Sequence, residues 1–506
     1  SFSQSAASSA AVNAAVPDGG ADAEAVSYVL APVMRDGALV ALDVTITLRA
    51  DADGETVLDW VPQWAGDNDL SRWARDIRVD GALSTEAAPH GGRIIHSEPG
   101  AALRMQYRIV SAYAEDPDVG NSEQTWPIVR PGWFYAVGEV LFAFPDNRAD
   151  APARFEWRGV PGFGFASDLE HATDGEGAPR SVNAVLETIA IGGRDLQVAE
   201  AIVDGSPVRV AHVGQFDFDT DAFNRLALQV VEAERAFWND RTEGPFLITA
   251  VPLAPRPGTI SYGGTGRGDA FATWVGRNSP LPGLVWLLAH EYFHSWNARR
   301  LGEPDEETEA RDYWLSEGFT DFYARRLMLR TGLWTPEQFI ESWNDALRAY
   351  AASPFRAATN AAVAQAFWTD EDAQEQPYQR GALLAALWDR RLRMASGGRE
   401  TLDTVLRAQR DYARAADALP PLVPTFRRMM RDHGVDIAPD VARYLDAGAP
   451  VDLPADAFGP CVRVETMEQP VFERGWDVRA TRAAGNVIKG LDHDSNAYRA
   501  GLRDGM

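Results

Sequence analysis

The feature that most limits how this chain can fold is a change of hydrophobic period near Asp219. Before it, from about Val26 to Val203, apolar residues come in short β-branched or aromatic runs. These are "ALVALDVTITLRA", "GAALRMQYRIVSAYA", "WFYAVGEVLFAFP" and "SVNAVLETIAIGG". Gly, Pro, Asn and Asp clusters separate them, as turns separate strands. After it, "TDAFNRLALQVVEAERAFWND" places its apolar residues at helical spacing behind an Asp/Thr start. "PFLITAVPL" then reads as a strand, followed by the glycine-rich "ISYGGTGRGDAF". From Leu284 to about Tyr444 the chain reads as separate amphipathic helices, among them "LVWLLAHEYFHSWNARR", "EGFTDFYARRLMLRTG" and "YQRGALLAALWDRRLRMASGG".

With 506 residues, several domains are expected. Residues 1–25 are Ala/Ser-rich and read as a disordered tail without the basic start and apolar run of an intact signal peptide. Ser1 in place of an initiator methionine fits processing or trimming. Residues 26–205 form an all-β, sandwich-like domain, and residues 206–450 a mostly helical α+β domain. Residues 451–506 are a linker and a β-rich segment. There "NVIKGLD" and "SNAYRAGLRDG" resemble a strand and the short helix of a partial PDZ domain, which implies a peptide ligand or an intramolecular partner. The alternative is a β-rich cap on the helical domain.

Composition removes several function classes. Formal net charge is −25, a poor match to nucleic acid or an anionic membrane surface. Lys489 is the single lysine and lies in "NVIKGLD", so a phosphate-binding P-loop and a Schiff-base cofactor site are excluded. Cys461 is the single cysteine, so intramolecular disulfides and multi-thiolate metal sites are excluded. No apolar stretch is long enough to span a bilayer. His90, His96 and His171 are scattered and read as surface or satisfied histidines.

The chemistry concentrates at "HEYFH". On a helix, His290 and His294 lie one turn apart on one face and can point at a single metal ion, while Glu291 is turned to the flank, where it can reach a water. Two helical histidines without a metal are the alternative. A catalytic zinc needs a third protein ligand and an open position. Glu317, at the start of the next strong helix in "RDYWLSEGFTDFYARR", can supply it, or can simply favour the helix dipole. Asp321, one turn later, can accept a ring N–H from a ligand histidine, or lie on the surface. Asn297 has a similar, weaker claim.

"HEYFHSWN", "WLSEGFTDFYA" and "PYQRGALLAALWD" together resemble the glycyl aminopeptidase family of zinc metallopeptidases. That family is part of the thermolysin-like gluzincin group, with aminopeptidase N and leukotriene A4 hydrolase more distant. The resemblance implies an N-terminal β domain, a thermolysin-like catalytic domain and a PDZ domain. It implies one Zn²⁺ held by His290, His294 and Glu317, with Glu291 as general base and Tyr378 steadying the tetrahedral intermediate. It implies a peptide or protein substrate, and a periplasmic or extracellular bacterial location with the cytoplasm left open. One segment departs from the family. A Gly-Gly-x-Glu-His run usually lines the substrate edge strand, and its glutamate binds the free amino terminus. Here "YGGTGRGDAF" keeps Gly263, Gly264 and Thr265 but places Gly266 and Arg267 where Glu and His would stand. Asp269 is the nearest carboxylate. An aminopeptidase is the first expectation, with an endopeptidase or altered amino-terminus recognition second, and a catalytically silent peptide-binding scaffold third.

Overall fold

The computed structural model describes residues 25–118, 125–171, 180–240, 244–255, 260–304, 309–468 and 474–506. The expected disordered tail therefore lies, apart from residue 25, outside the described residues. The chain divides into two compact units, Ser1–Asp452 and Leu453–Met506.

The first part of the larger unit is β-rich. A six-stranded sheet runs in the order Arg180–Ser181, Pro152–Trp157, Val26–Arg35, Ala38–Arg49, Ala102–Ile109, Ala74–Asp80. Its strands alternate buried and half-exposed residues: Val26, Tyr28 and Leu30 are buried, Ser27 and Val29 are not. That is the two-residue period of a sheet with one face on a core. Two four-stranded sheets complete this part.

Two of the expected strands are broken by helical turns. "WFYAVGEVLFAFP" is a strand over Trp133–Val137, then a turn of helix over Gly138–Leu141. Gly138 opens this turn at a close approach, since a Cβ there would lie 2.3 Å from the carbonyl oxygens of Val185 and Leu186. "SVNAVLETIAIGG" opens with a helical turn over Val182–Leu186, because the Ser181 side chain accepts from the Ala184 N–H and caps it. Its strand is confined to Ile189–Gly193.

The second sheet has five strands: β1 (Gln197–Val203), β2 (Ser206–His212), β3 (Phe246–Leu253), β4 (Tyr262–Arg267) and β5 (Ala270–Gly276), in spatial order β1-β2-β3-β5-β4. β1 and β2 form a hairpin across residues 204–205. β4 is an edge strand, antiparallel to β5. The hydrophobic core of the first part continues into this sheet through Leu247, Val251 and Trp274. The Tyr135 and Trp274 rings meet edge to face with centroids 4.9 Å apart.

The helices follow the expected pattern: α1 (Thr220–Trp238), α2 (Leu281–Phe293), α3 (Tyr313–Arg330), α4 (Pro336–Ala352), α5 (Glu371–Ser396), α6 (Leu402–Ala415) and α7 (Leu422–Asp432). The Asp219 side chain caps α1, and Gly397 ends α5 in the left-handed conformation. α2 is apolar nearly all round and is correspondingly buried. It stops at Phe293, short of the expected "SWNARR" extension, so His294 is its C-terminal cap.

The smaller unit is not β-rich. Among its described residues it has two short helices, Val478–Ala483 and Asn496–Arg499, and no strand. The Asp477 carboxylate accepts from the Ala480 N–H and turns "DVRATRA" into a helix. The expected "VIKGL" strand is extended chain in which Ile488 bonds to Gly505 and Met506, too few contacts for a ladder. The helix expected in "SNAYRAG" does form, capped by Ser495.

Candidate functional site

α2 and α3 pack against each other and bring the motif residues together. His290 sits near the end of α2, His294 caps it, and Glu317 lies in the second turn of α3. Their inward atoms form a triangle. His290 Nε2 is 3.2 Å from His294 Nε2, and each is 3.2 Å from Glu317 Oε2. Ligands on a tetrahedral zinc at about 2.0–2.1 Å stand roughly 3.3 Å apart. The three side chains therefore fit one such cation, and they are the His/Asp/Glu/Cys group among the described residues that could hold a metal ion.

The outer atoms of both rings are tied down. His290 Nδ1–H donates to Asp321 Oδ1 at 2.9 Å, and His294 Nδ1–H donates to the Asn297 carbonyl at 2.6 Å. Both Nε2 atoms consequently face the triangle. Asp321 lies one turn after Glu317, and its other oxygen accepts from Arg325 at 3.1 Å. The side-chain amide of Asn297 is buried and donates to the Leu315 and Ser316 carbonyls at 3.0 and 2.9 Å, clipping the exit of α2 to the start of α3.

Burial opposes every charge here, and neighbours decide each outcome. Burial lowers the His290 pKa, but bonds to Asp321 and Glu317 win and carry it up to about 10. Burial raises Glu317, but His294 and His290 hold it well below the carboxylate range. Asp321 is likewise raised by burial and lowered further by Arg325 and His290, for a net depression. Glu291 differs: burial outweighs the two histidines and leaves its pKa raised, as suits a proton acceptor. The Tyr378 phenol is pushed well up by burial and by Glu317 and Glu291.

Tyr378 reaches the site from α5. Its ring stacks near His290, centroids 5.8 Å apart. Edge strand β4 reaches it from the other side. A Cβ on Gly264 would lie 3.0 Å from Glu291 Cγ, so the glycine leaves room for the base. The Gly276 N–H donates to the Ser261 carbonyl. Continued along the register, Gly263 and Thr265 bond toward β5, while Tyr262, Gly264 and Gly266 point their backbone groups off the free edge. A cavity of about 370 Å³ opens beside Glu291 and His294, with Gly266, Arg267, Arg299 and Glu309 on its wall.

Asp269 is not brought into this site. Its carboxylate faces Arg180 at 3.2 Å, and it is not among the cavity-lining residues. Two residues emerge that motif reading did not single out. Glu139 is buried and ion-paired with Arg267. The visible signal was one acid inside the otherwise apolar run "WFYAVGEVLFAFP". Glu309 sits just ahead of α3, where burial and Glu317 raise its pKa; nothing in "EETEARD" distinguishes it from its neighbours.

The three donors are of the kind that hold a catalytic zinc. Residues 283–384 match the family model of the M61 glycyl aminopeptidases. The fold is similar to that of an aminopeptidase N family protein from Idiomarina loihiensis, with a TM-score of 0.73 at 16% identity, covering 95% of this chain and 88% of that one. An M1 zinc metallopeptidase from Deinococcus radiodurans is similar with a TM-score of 0.46 at 17% identity, over 82% of this chain and 91% of that one. No curated protein sequence matches the chain. No helix among the described residues is long and apolar enough to cross a membrane.

Proposed function

We propose that this chain is a zinc-dependent peptidase with Glu291 as its base, and that the M61 match makes an aminopeptidase the first reading of which bond it cuts. The observation that carries the proposal is the triangle of donor atoms at 3.2 Å beside the half-buried Glu291. His290, His294 and Glu317 would hold the ion, with Asp321 and the Asn297 carbonyl fixing the rings. Bound Zn²⁺ would supply Lewis-acid polarisation of the scissile carbonyl and a water that ionises near neutral pH.

The rest falls to the chain's own residues. Glu291 takes the proton of the attacking water and passes it to the leaving amine. The Tyr378 hydroxyl donates to the developing oxyanion, a contribution of about 3 kcal/mol for one such donor. The outward groups of Gly264 and Gly266 on β4 pair with an extended substrate, as an added strand pairs with a sheet edge. A periplasmic or extracellular location goes with this reading and is checked by cell fractionation.

The test is a peptide-library digest with metal analysis and a chelator control. One zinc per chain and chelator-sensitive cleavage support the peptidase. Absence of stoichiometric zinc favours a silent peptide-binding scaffold.

A further inference from the structure

The end of β4 answers what this cleft admits. A substrate ammonium next to the scissile bond needs a carboxylate to receive it. Of the carboxylates near that end of the strand, Asp168 accepts from Thr188 and Ile189, and two others are already ion-paired. Glu139, only 4% exposed, is ion-paired with Arg267, and Asp269 with Arg180. The Arg267 guanidinium is also held against the Trp64 ring, 4.4 Å from its centroid, and its side chain is 18% exposed on the cavity wall. A charge-balanced pair of this kind has no net attraction for an ammonium, while its N–H groups suit the carbonyl oxygen of a continuing chain.

The strand itself is also open at this end. Glu291 faces Gly264, and the outward backbone groups of Tyr262 and Gly266 flank that point on both sides. They span about 14 Å of edge, room for several residues of extended peptide. A Cβ on Gly266 would meet nothing within 4 Å among the described residues.

We propose that the Arg267–Glu139 pair releases this peptidase from the need for a free amino terminus, so that it cuts peptide bonds with chain continuing on both sides. The proposal rests on the zinc-peptidase reading and departs from the aminopeptidase specificity that the M61 match suggests first. Glu187 and Glu309, which also line the cavity and hold the neutral donors Asn183 and Tyr313, are the rival ammonium sites.

The experiment compares kcat/KM of the zinc-loaded full chain on one internally quenched peptide with a free or an acetylated amino end, cleavage sites being read by mass spectrometry. The expected result is cleavage of both forms within tenfold of each other, at internal bonds. Arg267→Leu leaves the buried Glu139 carboxylate to the substrate and is expected to shift the ratio toward the free amino end by tenfold or more. Arg267→Leu with Glu139→Gln is expected to restore the wild-type ratio. A wild-type preference of a hundredfold or more for the free amino end overturns the proposal and points to Glu187 or Glu309. So does a folded, zinc-loaded Arg267→Leu with an unchanged ratio. Where the single variant does not fold, the wild-type ratio decides. Cleavage of neither form at full zinc occupancy defeats the zinc-peptidase reading instead.

Discussion

α3 and α5 touch backbone to backbone at Gly318 and Gly381. A Cβ on Gly318 would lie 2.3 Å from the Gly381 Cα, and one on Gly381 would lie 2.0 Å from the Trp314 carbonyl oxygen. This contact sets the distance between Glu317, next to Gly318, and Tyr378, one turn before Gly381. Gly318→Ala is expected to push the helices apart, with an overpacking cost of about 1–3 kcal/mol or more. Thermal unfolding should show a lowered midpoint together with lowered kcat. An unchanged midpoint would mean that the helices can yield without cost.

Gly264→Ala tests the other wall. Its Cβ would meet Glu291 Cγ at 3.0 Å and Cδ at 3.1 Å. The base must move, while the three donor atoms on α2 and α3 are untouched. The expected outcome is a fall in kcat of about tenfold or more, since small displacements of a catalytic group are costly, with zinc content preserved. Full activity in this variant would place the working water elsewhere.

Tyr378→Phe removes only a hydroxyl. Loss of one oxyanion donor typically lowers kcat by about 10²–10³. The variant should keep its zinc and fold, and a kcat close to wild type would remove Tyr378 from the mechanism.

Zinc affinity should depend on pH in a stated direction. With its pKa carried to about 10, His290 holds a proton at neutral pH in the metal-free protein. Zinc must displace that proton, so apparent affinity rises with pH, by up to about tenfold per unit below pKa. Titration with a competing chelator at several pH values checks this, and affinity flat from pH 6 to pH 8 would contradict it.

Stability has its own pH signature at Asp168, beside the β4–β5 turn. A Cβ on Gly268 would lie 2.8 Å from its Oδ2. Burial raises this carboxyl from 3.8 to about 6, against bonds from Thr188 and Ile189. Between those values the folded state keeps a proton that the unfolded chain has released, so stability falls as pH rises through the window. The loss, complete above pH 6, is on the order of 3 kcal/mol. Asp168→Asn is expected to flatten denaturant midpoints across pH 4 to 6, and an unchanged slope would assign it to other groups.

The pairs that make up the donor triangle were legible in the sequence from helical spacing: His290 and His294 share a face, and Glu317 and Asp321 share another one turn apart, while the packing of α2 on α3 brings the pairs together. The helices were legible for the same reason. The interrupted strands were not, because the close approach at Gly138 is to carbonyls of residues 185 and 186, far along the chain. The Arg267–Glu139 pair was hidden likewise, its members meeting from β4 and from the helical turn Gly138–Leu141 through tertiary contact alone. Reading Asp269 as a substitute carboxylate followed sequence proximity, but Arg180 takes it up. The β-like tail was read from a resemblance alone, and there Asp477 caps a helix while Ile488, among the described residues, bonds only to Gly505 and Met506.

The central claim, that Glu291 activates water at a His290–His294–Glu317 metal site, is tested most directly by Glu291→Gln. The substitution keeps size and removes the base, and none of the three donors changes. The account expects one zinc per chain in both proteins and a fall in peptide cleavage of about 10² or more. Undiminished cleavage by a zinc-loaded Glu291→Gln protein would contradict it.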